Sequence, residues 1–267
     1  MFGINSKNIV NAYKDIRDGA ICWRVWHILS VQDIKQRYRR STFGPWWLTI
    51  STGIQVMVVG ITMGVLLGQP IQNYLPYVCG GFLLWNFMST VATEGSMCFI
   101  SAAPHLMQIR RPLFAFALQV IWRNYINLFH ASFIFVGVAA FCGINPWPAI
   151  LLAPIGLLLL LFNLSWSVVL FGLLSARFRD IPMIIQNAIS VMFWVTPVAY
   201  YPTQLGAHQY LITFNPLGYL INVVRLPLLG EIPGMDVYLI VIAIGVVGWI
   251  GTFLSFARFR GRVTYWI

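Results

Sequence analysis

Seven acidic side chains stand in the 267 residues: Asp15, Asp18, Asp33, Glu94, Asp180, Glu231 and Asp236. Glycosyl transfer at a membrane asks for carboxylates paired around a metal. Here Asp15 and Asp18 share an N-terminal stretch and the other acids are isolated, so no such pair stands out. The four cysteines (22, 79, 98, 142) show no C-x-x-C spacing, and the four histidines (27, 105, 130, 208) are scattered, so no metal-ligand set is expected. No Gly precedes a Lys anywhere, which excludes a P-loop for nucleotide hydrolysis. What remains is guanidinium and amide chemistry. Arg37, Arg39 and Arg40 put three planar forks within four positions, a set suited to gripping a phosphate-like anion bidentately. Gln119, Arg123, Asn127 and His130 fall at i, i+4, i+8 and i+11, on one face of a helix.

The surrounding composition decides where these groups sit. Hydrophobic residues make up 59% of the chain and charged residues 9%, at a mean hydropathy of +0.76. A soluble domain carries about 25% charged residues, so the chain reads as a polytopic membrane protein. Residues 41–93 and 124–176 are free of charge, each broken once by a polar, Gly- and Pro-containing turn. Residues 181–224 carry no charge but four prolines, and 237–257 form a last clean stretch. At about 20 apolar residues per crossing, the expected spans lie near 45–68, 75–97, 112–141, 149–174, 182–201 and 237–257. The expected fold is all-α, with six transmembrane helices in a domain covering 45–267 and a preceding segment, 1–44.

The net charge of +10 is better read through the positive-inside rule than as a nucleic-acid footprint. Fifteen of the 17 Lys and Arg fall on one side of these spans, and only Arg123 and Arg225 do not. Both termini are therefore expected in the cytoplasm. The first 20 residues lack an apolar stretch of signal-peptide type, so the first span itself is expected to direct insertion. Within the N-terminal segment Trp23, His27, Val31, Ile34 and Tyr38 recur on one helical stripe with cations on other faces, which predicts an amphipathic helix lying in the cytoplasmic interface. On the opposite side, 202–236 is too apolar for a solvated loop. Asn215-Pro216 opens a helix continued by Leu217, Leu220, Ile221, Val224 and Leu228, so short helices dipping into the outer leaflet are expected between spans five and six. Arg225 in this segment is expected to snorkel to the interface.

Several strings, in order, resemble one known family. They are Arg37-Tyr38-Arg39-Arg40-Ser41 with Gly44-Pro45-Trp46-Trp47, Glu94-Gly95-Ser96, Ile109-Arg110-Arg111-Pro112-Leu113, Arg123-Asn124 with His130, Arg177-Phe178-Arg179-Asp180-Ile181, and Thr196-Pro197-Val198 with Asn215-Pro216-Leu217. Together they are similar to the permease subunits of ABC-2 type polysaccharide exporters, O-antigen permeases above all; capsule and teichoic-acid permeases share several of them. The resemblance implies a homodimer of permeases in a bacterial cytoplasmic (inner) membrane, joined by two copies of a cytoplasmic ATPase that carries the ATP and Mg. This chain itself is then no enzyme and holds no cofactor. The implied cargo is a polysaccharide on an undecaprenyl-pyrophosphate carrier, with no nucleic-acid partner. A self-standing channel or carrier is the rival class, and Glu94 is the only acid in an expected span that a proton-coupled carrier could titrate.

Under that resemblance Arg37, Arg39 and Arg40 are candidates to guide the carrier's pyrophosphate. Trp46, Trp47, Phe193, Trp194, Tyr200 and Tyr201 are channel-lining candidates, because sugar C–H faces pack on rings; an interfacial aromatic belt is the alternative for those at span ends. His105, Leu106, Ile109 and Arg110, with Arg177, Arg179 and Asp180, lie in the two cytoplasmic connections where an ATPase would couple. Leu106 and Ile109 are read as the apolar anchor of a partner socket. Glu94, Arg123 and His130 are the intramembrane polar residues, and Glu94 with Arg123 is a candidate ion pair despite about 12 Å of axial offset at 1.5 Å per residue.

Overall fold

The computed structural model describes residues 6–44, 46–108, 111–209 and 214–267, and only the backbone of residues 105, 107, 108, 205, 207 and 208. Its described residues form helices and turns. Two polar helices come first, α1 (Ser6–Ile21) and α2 (Trp23–Arg37). The apolar helices α3 (Trp46–Leu66) and α4 (Ile71–Ser96) follow, then the short α5 (Cys98–Ser101) and α6 (Ala103–Gln108). Next come α7 (Leu113–Cys142), a 3₁₀ turn Ala149–Leu152 running into α8 (Ala153–Arg177), and α9 (Ile181–Val195). A 3₁₀ segment Pro202–His208, α10 (Pro216–Leu228), α11 (Met235–Phe259) and α12 (Val263–Trp266) complete the chain.

Five of these helices are long and apolar enough to cross a membrane: α3, α4, α7, the continuous stretch Ala149–Arg177, and α11 with its continuation to Trp266. The centre of the bundle is α4, buried almost continuously from Tyr74 to Met88 and packed on α3, α7, α8 and α9. Small side chains let α3 approach it. Thr49, Thr52, Val56, Gly60 and Gly64 form the buried edge of α3, and a Cβ on Gly60 would meet Leu75 Cδ1 at 2.4 Å.

The fifth expected span differs from the sequence reading. Helix α9 has 15 residues, about 22 Å at 1.5 Å per residue, against a hydrocarbon core of about 30 Å. It stops because Pro197 has no N–H to continue the ladder and holds the residue before it out of the α region; Thr196 sits at φ −93°, ψ 135°. The chain runs on without α-helix to Tyr201, where it meets the start of α4: the Tyr74 hydroxyl donates to the Ala199 carbonyl and the Tyr201 hydroxyl to the Asn73 carbonyl (3.4 Å). The segment 181–201 is half helix, half irregular backbone, and protein supplies hydrogen bonds to the irregular half.

Helix α10 begins beside the end of α9. Asn215 caps it by accepting from the Leu217 N–H (3.0 Å), while its Nδ2 donates to Thr196 Oγ1 (2.9 Å) and the Val195 carbonyl (3.2 Å). From there α10 returns to the level of the α7–α8 turn, where a Cβ on Gly230 would lie 2.8 Å from the Asn145 carbonyl oxygen; Gly230 also takes φ +86°. Helix α10 thus packs against α4, α8 and α11.

At the opposite end the N- and C-terminal helices meet. Asp15 on α1 is 3% exposed, and it accepts from the Phe114 N–H in the first turn of α7 (3.0 Å) and from Arg260 Nε (2.6 Å). One carboxylate therefore caps α7 from another helix and neutralises an arginine beyond α11. We call this the basic end.

Candidate functional site

The largest cluster of paired charges among the described residues lies where α2, α4 and α7 converge near the basic end. Arg123 on α7 donates through NH1 to Asp33 Oδ2 (2.5 Å) and through NH2 to Glu94 Oε2 (2.8 Å). Glu94 on α4 also accepts from Arg37 on α2 (2.7 Å) and from Asn124 Nδ2 (2.8 Å), and Asp33 accepts from Gln119 Nε2 (2.9 Å). Two carboxylates and two guanidiniums balance, so the cluster is neutral and each acid faces at least one cation. The bond to Glu94 raises the Arg37 guanidinium above its ordinary range, which keeps it charged. A polar cavity of about 220 Å³ opens beside the cluster, lined by Asp33, Glu94, Ser101, Gln119 and Arg123 among others.

Glu94 and Arg123 meet although a simple antiparallel count separates them by about 12 Å. The count took the end of α4 and the start of α7 as level. In fact α5 and α6 continue past α4 before α7 begins, so the third turn of α7 lies beside the last turn of α4.

The N-terminal helix is there with Trp23 of its apolar stripe exposed, and the expectation from sequence did not include its polar contacts with the bundle. His27, Ser30 and Asp33 meet α7, and Arg37 meets Glu94 on α4. His27 Nδ1 accepts from Trp122 Nε1 (2.8 Å), Ser30 Oγ donates to the Gln119 carbonyl (2.8 Å), and Trp26 packs edge-on against Trp122. The physical reason is that α7 presents a polar face at this depth, and only polar partners satisfy it. The polar stripe on α7 itself divides: Gln119 and Arg123 face α2, Asn127 is buried, and His130 hydrogen-bonds to the Ile126 carbonyl (2.7 Å) with Trp46 edge-on to its ring.

Among the remaining candidates, Arg39 and Arg40 are exposed just before α3. Trp47 stacks on Phe43, and Trp46 packs on Phe133 of α7. Phe193 packs edge-on between Phe82 and Trp85 of α4, whereas Trp194 is 73% exposed and its carbonyl accepts from the Tyr200 hydroxyl. Tyr201 lies 4.2 Å from the Tyr77 ring. The six aromatics therefore do not form one lining; they divide between two ends and two neighbours.

Arg225 is the sharpest correction. It does not snorkel; it is 1% exposed. Its guanidinium lies 3.8 Å over the Tyr77 ring, NH1 donates to the Pro197 carbonyl (2.8 Å) and NH2 to Asn222 Oδ1 (2.6 Å). Tyr77 in turn donates to the Tyr200 carbonyl (3.1 Å). Together these pin the irregular half of the fifth crossing against α4, and Gly81 makes room: a Cβ there would sit 2.4 Å from the Val198 carbonyl oxygen. Nothing in the spacing of Tyr74, Tyr77, Gly81 and Arg225 announces this, because the contact joins positions more than a hundred residues apart.

At the basic end Arg177 stands over the rings of Phe178, Phe259 and Trp266, and Arg179 donates to the Trp266 carbonyl (3.2 Å). Arg177, Arg179 and Asp180 are exposed. Leu106, read from sequence as the apolar anchor of a partner socket, is 8% exposed, and its helix α6 folds against α12 and α5. His105 has only its backbone described, and Ile109 and Arg110 lie outside the described residues.

A bundle of apolar helices with a re-entrant segment, charge clusters at helix junctions and an exposed basic end is a membrane permease. The sequence pattern of the ABC-2 type transporter family matches residues 24–229, and the chain belongs to that family. It is 23% identical over 200 residues to the O-antigen export system permease protein RfbA of Klebsiella pneumoniae, covering 73% of this chain and 76% of that one. A protein of the same name from Myxococcus xanthus is 24% identical over 190 residues, 70% of this chain and 73% of its own. The chain is thus the permease subunit of an ABC exporter.

Proposed function

We propose that the exporter moves O-antigen polysaccharide, linked to undecaprenyl pyrophosphate, from the inner to the outer face of the bacterial cytoplasmic membrane. Likeness to two O-antigen export permeases over more than two thirds of the chain carries this reading. In it, two copies of the chain form the conduit and two copies of a cytoplasmic ATPase drive it. The charge distribution supports cytoplasmic termini, because fifteen of 17 cations fall on the side of the basic end. Six crossings agree with this if α9 and the irregular segment after it count as the fifth.

The basic end is then where the ATPase docks. Exposed Arg177, Arg179 and Asp180, with the helix α6, offer the contact. Arg39 and Arg40 stand free at headgroup level to meet a pyrophosphate, and Arg37 joins them by exchanging Glu94 for the ligand. Deleting the gene should abolish surface O-antigen and leave lipid-linked polymer on the inner leaflet, with the wild-type chain restoring export and co-purifying with an ATPase. Replacing Arg37, Arg39 and Arg40 together by Lys keeps the charge and removes the planar fork; export should fall at least tenfold in correctly inserted protein. Surface glycan unchanged by the deletion would overturn the reading.

A further inference from the structure

A second cavity, of about 80 Å³, lies between α3, α4 and α7, closed at one side by the end of α2. Its wall carries Thr52 from α3, Asn86 and Thr90 from α4, and Asn127 from α7, together with Phe87 and the edge of Arg37. None of the side chains of Thr52, Asn86, Thr90 or Asn127 has a hydrogen-bond partner among the described residues, and Asn127 is 7% exposed with Oδ1 unpaired. All four stand on helices long enough to span the membrane, where a polar group left unmatched is costly. Four polar side chains without protein partners, from three apolar helices, thus line one cavity, which suits a polar occupant.

We propose that this cavity is a binding site for a carbohydrate ring, taking the hydroxyl-bearing edge of one neutral sugar unit. Carboxamides and threonine hydroxyls each offer donors and acceptors, which is what vicinal hydroxyls need. Phe87 and the neighbouring Leu83 and Leu128 supply an apolar floor for the ring's C–H face. A neutral ligand fits the lining, in which Arg37 is the only charged side chain and is engaged with Glu94; an anion binding Arg37, as proposed above, has first to displace Glu94. The volume sets the depth. At about 30 Å³ per water, about 80 Å³ admits two or three small polar groups, so one edge of a pyranose enters and the rest stays outside. The site lies apart from the aromatics Phe193 and Tyr201, which pack on the other side of α4. That the sugar belongs to an exported glycan rests on the function proposed above; that the cavity binds sugar does not.

The test is saturation-transfer NMR on the full-length permease in lipid nanodiscs, with the methyl glycosides of glucose, galactose, mannose and rhamnose as probes at millimolar concentration. At least one glycoside should receive saturation from wild type. Asn127→Leu and Asn86→Leu should each cut that signal at least fivefold, whereas Asn86→Gln, which keeps the amide, should retain most of it. Thr90→Val, a milder change, should lower it in protein of unaltered thermal stability. A cavity filled by water alone would give no transfer from any of the four, and that overturns the proposal, as would a signal unchanged in the Leu variants. Surface O-antigen is scored in parallel with the wild-type gene. Export restored without sugar binding removes this site and leaves the exporter standing; sugar binding lost in the Leu variants, with no O-antigen exported by wild type, upholds the site and removes the exporter reading.

Discussion

Replacing Arg123 by Leu removes the cation shared by Asp33 and Glu94. Asp33 then keeps Gln119, and Glu94 keeps Arg37 and Asn124. A fully buried ion pair broken on one side costs about 3–5 kcal/mol. These side chains retain 15%, 29% and 21% exposure for Arg123, Asp33 and Glu94, and both acids keep another donor, so the lower end applies. We expect a loss of about 2–3 kcal/mol. The pairwise part is smaller, because polar contacts between membrane helices average about 0.6 kcal/mol in double-mutant cycles and reach about 1.7. A charged contact at 2.8 Å belongs near the top of that range, so coupling between Glu94→Gln and Arg123→Leu should be about 1–1.5 kcal/mol. Unfolding in mixed micelles titrated with SDS measures all four corners of the cycle. Additivity of the two substitutions within about 0.3 kcal/mol would refute the claim that the contact ties α4 to α7.

Three further substitutions follow from the geometry. Gly81→Ala drives a Cβ to 2.4 Å from the Val198 carbonyl oxygen and should destabilise by about 1–3 kcal/mol through overpacking; Gly137→Ala, with nothing within 4 Å, should leave the thermal midpoint unchanged. Asp15→Asn removes the ion pair to Arg260 while keeping an acceptor for the Phe114 N–H, and should cost about 1–2 kcal/mol, with Asp15→Ala costing more, both read by SDS titration. Arg225→Lys keeps the charge but reaches only one of Pro197 and Asn222 and loses the flat stack on Tyr77; about 2 kcal/mol and faster proteolysis within 202–215 are expected.

How far the sequence carried the fold depends on which interaction chose each element. Crossing helices answer to lipid, whose demand for unbroken apolar runs is written in local composition, so α3, α4, α7, α8 and α11 lie close to the expected ranges. The fifth run was read by apolarity to residue 201, and that misses the stop at Val195 because Pro197 acts on the backbone while leaving the hydropathy intact. The helix before the first span was phased on its apolar side chains. Its polar side chains find partners that the stripe does not show: His27, Ser30 and Asp33 on α7, and Arg37 on Glu94 of α4. Asp15 looked like part of a solvated tail and Arg225 like a surface cation. Their burial follows from Phe114 with Arg260, and from Tyr77 with Pro197, contacts that no local window contains.

The acids explain why so basic a chain holds together. Asp15, Asp33 and Glu94 are each consumed by an arginine from a different element: Arg260 after α11, Arg123 on α7, and Arg37 on α2 together with Arg123. Two of these acids lie on α1 and α2, so the helices that precede the first span are held to the bundle by charge as well as by packing. With the acids engaged internally, the exposed Lys35, Arg39, Arg40, Arg177 and Arg179 form no ion pair with a carboxylate among the described residues, which strengthens attraction to anions there. The same arrangement fixes the mechanics. A push on α6 or on the Arg177–Asp180 turn reaches α12, α8 and α5 by direct packing, whereas moving α2 away from α7 and α4 requires Arg123 to leave Asp33 and Arg37 to leave Glu94. An anion that competes for Arg37 weakens the second of those contacts, so ligand arrival at the basic end and release of α2 draw on the same arginine.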